Sequence, residues 1–126
     1  MKKIIFTKNA PAPIGAYSQA TMVNGILYTS GQIAINPKNG ELVMDTIENE
    51  TTQVMENLKA VLTEVNMTFE NVFKTTIFIS DMKNFSRINA IYSEYFNTKT
   101  APARETVEVA NLPMYVNVEI SVIATK

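Results

Sequence analysis

Arg104 is one of only two arginines in the chain and stands in the stretch Pro102-Ala-Arg-Glu-Thr-Val-Glu-Val109, just after a proline and among carboxylates. A guanidinium presents its N–H donors in a rigid, permanently charged plane that matches a carboxylate or phosphate bidentately. The proline before it helps fix where a strand begins. Side chains alternate along a strand, so Arg104, Thr106 and Glu108 share one face, and Glu105, Val107 and Val109 the other. In the last apolar run Val116, Val118, Ile120 and Val122 make one face, with Asn117, Glu119 and Ser121 opposite. If the two strands are neighbours, Arg104 and Glu119 approach on a common polar face. One reading of that pair is a clamp for a substrate carboxylate or phosphate beside a carboxylate that handles water. The other is a solvated face with a surface ion pair worth little.

Further candidates lie at strand ends and on a helix. Tyr17 and Ser18 follow a Pro/Gly loop, and Ser30-Gly31 close a strand. Loops positioned by a sheet often line pockets, and a glycine there admits close backbone approach, although turn chemistry is the commoner reason for each of these residue types at such places. Asn89 sits between Ile88 and Tyr92, where it either reaches a buried polar partner or faces solvent. Other constellations fail. The twelve acidic residues form no calcium loop, no phosphate-binding glycine loop or dinucleotide fingerprint is present, and the seven methionines are dispersed as core filler.

Composition narrows the chemistry. With neither cysteine nor histidine, the chain lacks disulfides, thiolate nucleophiles, the usual zinc sites and imidazole acid/base catalysis. Net charge is −1, and the nine lysines are scattered, so no basic stripe exists to follow a phosphate backbone. The N-terminal "IIF" is too short for a signal peptide, and no stretch approaches the roughly 20 apolar residues of a membrane span. A soluble, cytoplasmic protein is the expectation. Its 126 residues suit one domain, taken as 1–126.

The elements that must position these residues follow from pattern. Ile4–Phe6 reads as a first strand. Asn24-Gly25 supplies a type I′ turn between two β-rich runs, and "NPKNGE" is a second turn region. Asp45 is expected to open a helix, with Glu48 completing a capping box and an apolar stripe (Ile47, Val54, Met55, Leu58, Val61, Leu62, Val65) running to about Asn66. "VFKTTIFIS" is a central strand. Asp81 or Asn84 is expected to cap a second helix with the stripe Phe85, Ile88, Tyr92, Tyr95 and Phe96. Two strands close the chain, about Ala103–Val109 and Val116–Ala124. This order predicts an α+β fold with two helices on one face of a mixed, mainly antiparallel sheet. The other face then needs cover, which oligomerisation supplies.

The stretches "GAYSQA", "LYTSGQIAINPKNGE", "INAIYSEYF" and "PARETVEVANLPMYVNVEI" resemble the Rid family, also called the YjgF family. The likeness runs from near residue 4 to the C-terminus, and its closing segment (Pro-Ala-Arg, a small-to-apolar run, Leu-Pro, then Val-Glu-Ile) is the most specific part. The resemblance implies a chorismate-mutase-like α+β fold assembled as a homotrimer with sites in the clefts between subunits. It also implies hydrolysis of reactive 2-imino or enamine acids, such as 2-iminobutanoate and 2-iminopropanoate, to 2-oxo acids and ammonia. Such compounds arise from pyridoxal-phosphate enzymes such as threonine dehydratase. By this likeness Arg104 holds the substrate carboxylate, Glu119 attends the hydrolytic water, and Tyr17, Ser30, Gly31, Asn89 and Thr106 are substrate-binding positions. Two residues depart from the deaminase pattern. Thr106 stands where a cysteine is typical, in a role attributed to the backbone carbonyl. Glu105 stands where a small residue is typical, and strand alternation sends its side chain away from Arg104.

Imine hydrolysis tolerates the missing histidines and cysteines. The imine is already electrophilic, so orientation, one placed water and help with proton transfer suffice, with no metal, cofactor or covalent nucleophile. Two rival readings accompany the resemblance. Some relatives carry an endoribonuclease or translation-inhibitor label, but metal-free RNA cleavage usually relies on histidines and a positive field. A non-catalytic trimer that senses 2-oxo acids would use the same arginine, and only turnover separates it from the enzyme.

Overall fold

The computed structural model describes residues 1–126 as one six-stranded sheet with two helices. In chain order the elements are β1 (Lys3–Ile5), β2 (Ala20–Val23), β3 (Ile26–Thr29), α1 (Ile47–Glu64), β4 (Val72–Ile79), α2 (Phe85–Ser93), β5 (Ala103–Glu108) and β6 (Val118–Thr125). The sheet order is β1-β2-β3-β6-β4-β5. All neighbours are antiparallel except β4 and β5, which run parallel because α2 carries the chain across between them. The hairpin turn falls where expected, with positive φ at Asn24 (51°) and Gly25 (77°).

The start of α1 differs from the sequence expectation, whereas α2 begins at one of the two expected positions, with Asn84 as its N-cap residue. Thr46, not Asp45, is the N-cap of α1: it has extended backbone angles, and its Oγ1 accepts the Asn49 N–H at 3.0 Å. Asp45 instead accepts from the Asn49 side chain. Asp81 caps a short 3₁₀ turn, Met82–Asn84, that leads into α2, and Asn84 makes no capping bond. The first helix ends where Asn66 turns left-handed (φ 57°) and Met67 N–H reaches back to the Leu62 carbonyl.

The core lies between the helices and one face of the sheet. Val54, Met55, Leu58, Val61 and Leu62 of α1 pack with Leu27, Ile77, Ile79, Val118, Ile120, Val122 and Ala124, all essentially without solvent contact. Burying such a side chain is worth roughly 1.5–3 kcal/mol. The opposite face of the sheet carries Tyr28, Phe78, Val107 and Ile123, which no element of the chain covers.

Register corrects one sequence expectation. The strands that bear Arg104 and Glu119 are not neighbours, because β4 lies between them. Arg104 is opposite Thr75, which is opposite Val122, on the helix-covered face. Glu119 is opposite Phe78, which is opposite Val107, on the open face. The residues of β5 and β6 alternate as the sequence implied. The intervening strand and its register place the two charged groups on opposite sides of the sheet.

Candidate active site

The seven residues singled out in the sequence fall into two clusters and one outlier. Tyr17, Ser30, Gly31 and Glu119 line a cavity of about 300 Å³ whose other walls include Ile14, Ile33, Ile35 and Pro113. Asn89 and Arg104 line a second cavity of about 320 Å³ with Tyr92, Phe96 and Pro102. Thr106 lines neither; its Oγ1 is closed to solvent and bonds nothing within the chain. A wider groove of about 700 Å³ opens between β1 and the end of α1, but none of these residues reaches it.

In the first cavity the side chain of Glu119 lies directly over Gly31. A Cβ on Gly31 would stand 2.6 Å from the Glu119 carboxyl carbon, so only glycine at this position leaves the carboxyl where it is. The Glu119 carboxyl is half-buried among apolar walls, and that burial raises its pKa above the ordinary carboxylate value. Ser30 caps the end of β3 by donating its hydroxyl to the Ser18 carbonyl at 2.6 Å, and Tyr17 Oη accepts the Ile14 N–H. The surrounding loops are held by buried polar side chains that the sequence reading missed. The Gln19 side chain accepts the Thr7 N–H and donates to the carbonyls of Thr7, Ala10 and Pro11. Asn57 of α1 donates to the carbonyls of Ile33 and Ile35. Glu50 of α1 accepts two bonds from Asn117. Their signal was present: Glu50 and Asn57 are polar residues set at helical spacing within the apolar stripe that includes Val54 and Val61.

Arg104 is positioned from α2. Its Nη1 donates to Asn89 Oδ1 at 2.6 Å, and its guanidinium carbon stands 5.1 Å from the Tyr92 ring centre and 5.5 Å from that of Phe85. Tyr92 is itself fixed by a buried hydroxyl–hydroxyl bond to Thr75 at 2.8 Å. No carboxylate of the chain pairs with Arg104. The two ion pairs are Lys74–Glu105 and Arg87–Glu48. Glu105, the unusual neighbour, thus bonds Lys74 at 2.6 Å on the other face of β5 and leaves the guanidinium unneutralised.

An oriented guanidinium paired with no carboxylate and a half-buried carboxyl in a separate, mostly apolar cavity, carried on a helix-backed sheet with one bare face, define a small α+β protein of one mainly antiparallel sheet and two helices. The chain belongs to the family described as Endoribonuclease L-PSP, the Rid or YjgF family, whose model matches residues 7–126. It is 50% identical to a RutC family protein of Saccharolobus solfataricus over all of this chain and 99% of that one. Its structure superposes on YyfA of Yersinia pestis, described as a Rid family protein of unknown function, with a TM-score of 0.96, 52% identity and complete coverage of both chains. Escherichia coli TdcF with bound serine aligns with a TM-score of 0.92 and 36% identity over 98% of each chain.

Proposed function

We propose that the protein hydrolyses reactive 2-imino and enamine acids, including 2-iminobutanoate and 2-iminopropanoate, to 2-oxo acids and ammonia. The observation that carries this reading is the state of Arg104: it is oriented by Asn89 and two rings and paired with no carboxylate, so N–H donors remain for a substrate carboxylate. The serine bound to TdcF, an amino acid with that carboxylate, supports it.

Arg104 and Glu119 occupy opposite faces of one sheet, so a substrate that engages both takes them from two copies of the chain. The site is then completed in a homotrimer, whose subunits also cover the bare apolar face. Arg104 fixes the carboxylate and thereby the C=N bond. Glu119 takes a proton from a water whose oxygen adds to the imine carbon, giving a carbinolamine. With the imine entering protonated, that proton then passes to the amino nitrogen. As the C–N bond breaks, the carbinolamine hydroxyl gives its own proton to the freed Glu119 carboxylate, so that the 2-oxo acid and ammonia leave. Orientation and one positioned acid/base group match the small barrier of an activated electrophile.

The test generates 2-iminobutanoate with threonine dehydratase in the presence of semicarbazide. The protein should divert imine from the semicarbazone to 2-oxobutanoate, and Arg104→Ala should not. Unchanged semicarbazone yield with the parent protein would overturn the proposal and leave a non-catalytic 2-oxo-acid sensor. The family description also raises RNA cleavage, since a guanidinium accepts phosphate. Cleavage of yeast RNA by rigorously repurified protein, lost in Arg104→Ala, would favour that reading instead.

A further inference from the structure

Glu50 is a fully buried carboxylate with no cation beside it, because the chain's only ion pairs are Lys74–Glu105 and Arg87–Glu48. Both its oxygens are used by one residue. Asn117 donates its backbone N–H to Oε2 at 2.8 Å and its Nδ2 to Oε1 at 2.7 Å. Asn117 is held from the sheet side as well: its carbonyl accepts the Ser80 N–H at 3.1 Å, and its Oδ1 accepts the Ser80 hydroxyl at 3.4 Å. This doubly gripped residue lies two positions before Glu119. Upstream, Met114 and Tyr115 both have φ of 56°, a left-handed pair of non-glycine residues that persists only where the surroundings impose it. Pro113, at the start of that pair, is a wall of the Glu119 cavity. A buried carboxylate is costly unless its oxygens are bonded, and a glutamine of the same size would accept only one of Asn117's two donors.

We propose that Glu50 is a positioning residue: it grips Asn117 so that the Pro113–Glu119 segment keeps its shape and the Glu119 carboxyl stays over Gly31 in the cavity. The consequence for turnover rests on the proposed role of Glu119 as the group that handles water; the placement itself does not.

The test compares Glu50→Gln, Asn117→Asp and the double variant E50Q/N117D. In the double variant the introduced glutamine accepts the backbone N–H of residue 117 with its oxygen and donates its amide to the introduced aspartate. Both bonds are restored, and the aspartate still accepts from Ser80. Amide hydrogen exchange at residues 80 and 117, where the two backbone N–H groups report the grip directly, should accelerate in Glu50→Gln and recover in the double variant. With imine substrate, kcat of Glu50→Gln should fall on the order of 10–100-fold, the scale of a small misplacement, while 2-oxo acid affinity, governed by Arg104, stays the same. The double variant should regain most of kcat. Glu48→Gln, on the same helix but exposed, should behave like the parent. If Glu50→Gln does not assemble, Asn117→Ala, which keeps Glu50 and its backbone bond, should show the same loss of kcat. Parental exchange and kcat in Glu50→Gln, or a double variant no better than the singles, would overturn the proposal. A parent protein without imine turnover would remove the functional reading, and exchange at residues 80 and 117 would still decide the placement.

Discussion

At the scale of single residues, the candidate site depends on charges left uncompensated within the chain. Arg104 has a hydrogen-bonding partner in Asn89 but no counter-ion, so its removal should be felt in binding and not in folding. Arg104→Ala should abolish measurable deaminase activity in a protein that still folds and assembles, since truncating one member of a desolvated charge pair costs about 2–5 kcal/mol. Arg104→Lys should not rescue it, because an ammonium cannot reproduce the planar fork. Arg87→Ala, which breaks only an exposed pair with Glu48, should remain active. Parental turnover in Arg104→Lys would refute the clamp. Glu119 and Gly31 form the other half. A Gly31→Ala methyl would meet the Glu119 carboxyl, the far end of a flexible side chain, so the carboxyl should swing aside at little expense to the fold. Gly31→Ala should therefore lose kcat while keeping its thermal midpoint. The sign of the pH effect follows from the raised pKa of Glu119. The ionised form accepts the proton from water, so activity should fall as pH drops through a value above the ordinary carboxylate range, and Glu119→Gln should remove that limb from the kcat/KM profile.

At the scale of elements, α2 is a bracket for the arginine. Tyr92 is buried, backs the guanidinium and bonds Thr75 on the central strand β4. Thr75→Val should leave the Tyr92 hydroxyl without a partner and cost about 1–3 kcal/mol in denaturant unfolding. Adding Tyr92→Phe should return much of that stability, because both polar groups are then gone. If the double variant is no more stable than Thr75→Val, the hydroxyl pair is not the source of the loss. Affinity for 2-oxo acids tracks a separate quantity, the orientation of Arg104. The helix α1 plays a comparable part for the other half-site: Asn57 and Glu50 leave its apolar stripe to hold the loops beside Ile33, Ile35 and Pro113.

At the scale of the molecule, the sheet separates the two half-sites, and the proposed trimer rejoins them between subunits. This predicts complementation. Arg104→Ala, which is inactive, and Glu119→Gln, whose turnover is low, should gain activity when unfolded and refolded together, because an interface can then take Arg104 from one chain and Glu119 from another. With equal amounts and random cyclic assembly, about a quarter of the interfaces are intact, so activity should approach about a quarter of the parent's. A mixture that gains no activity would place both groups' function within one chain. Sedimentation equilibrium of the parent should give about three times the chain mass of 14.1 kDa.

The sequence by itself determined the local geometry. Asn24-Gly25 made the hairpin, the alternation in "VFKTTIFIS" and "VEISVIAT" made buried strand faces, and the stripe from Val54 to Leu62 made α1, because each of these is set by neighbours in the chain. It also marked Arg104, Glu119, Gly31 and Asn89 as chemistry-bearing, through residue type and through the family likeness. Only the tertiary structure decided how these meet. Placing β4 between β5 and β6 put Arg104 and Glu119 on opposite faces, and strand order depends on pairings across tens of residues that alternation does not encode. The reason for Gly31 was equally non-local: the space its missing side chain leaves is filled by Glu119, brought beside it by the pairing of Gln32 with Ile120. Glu50 shows the same limit, since a glutamate in the first turn of a helix reads as a dipole partner until the fold buries it against Asn117, 67 residues away.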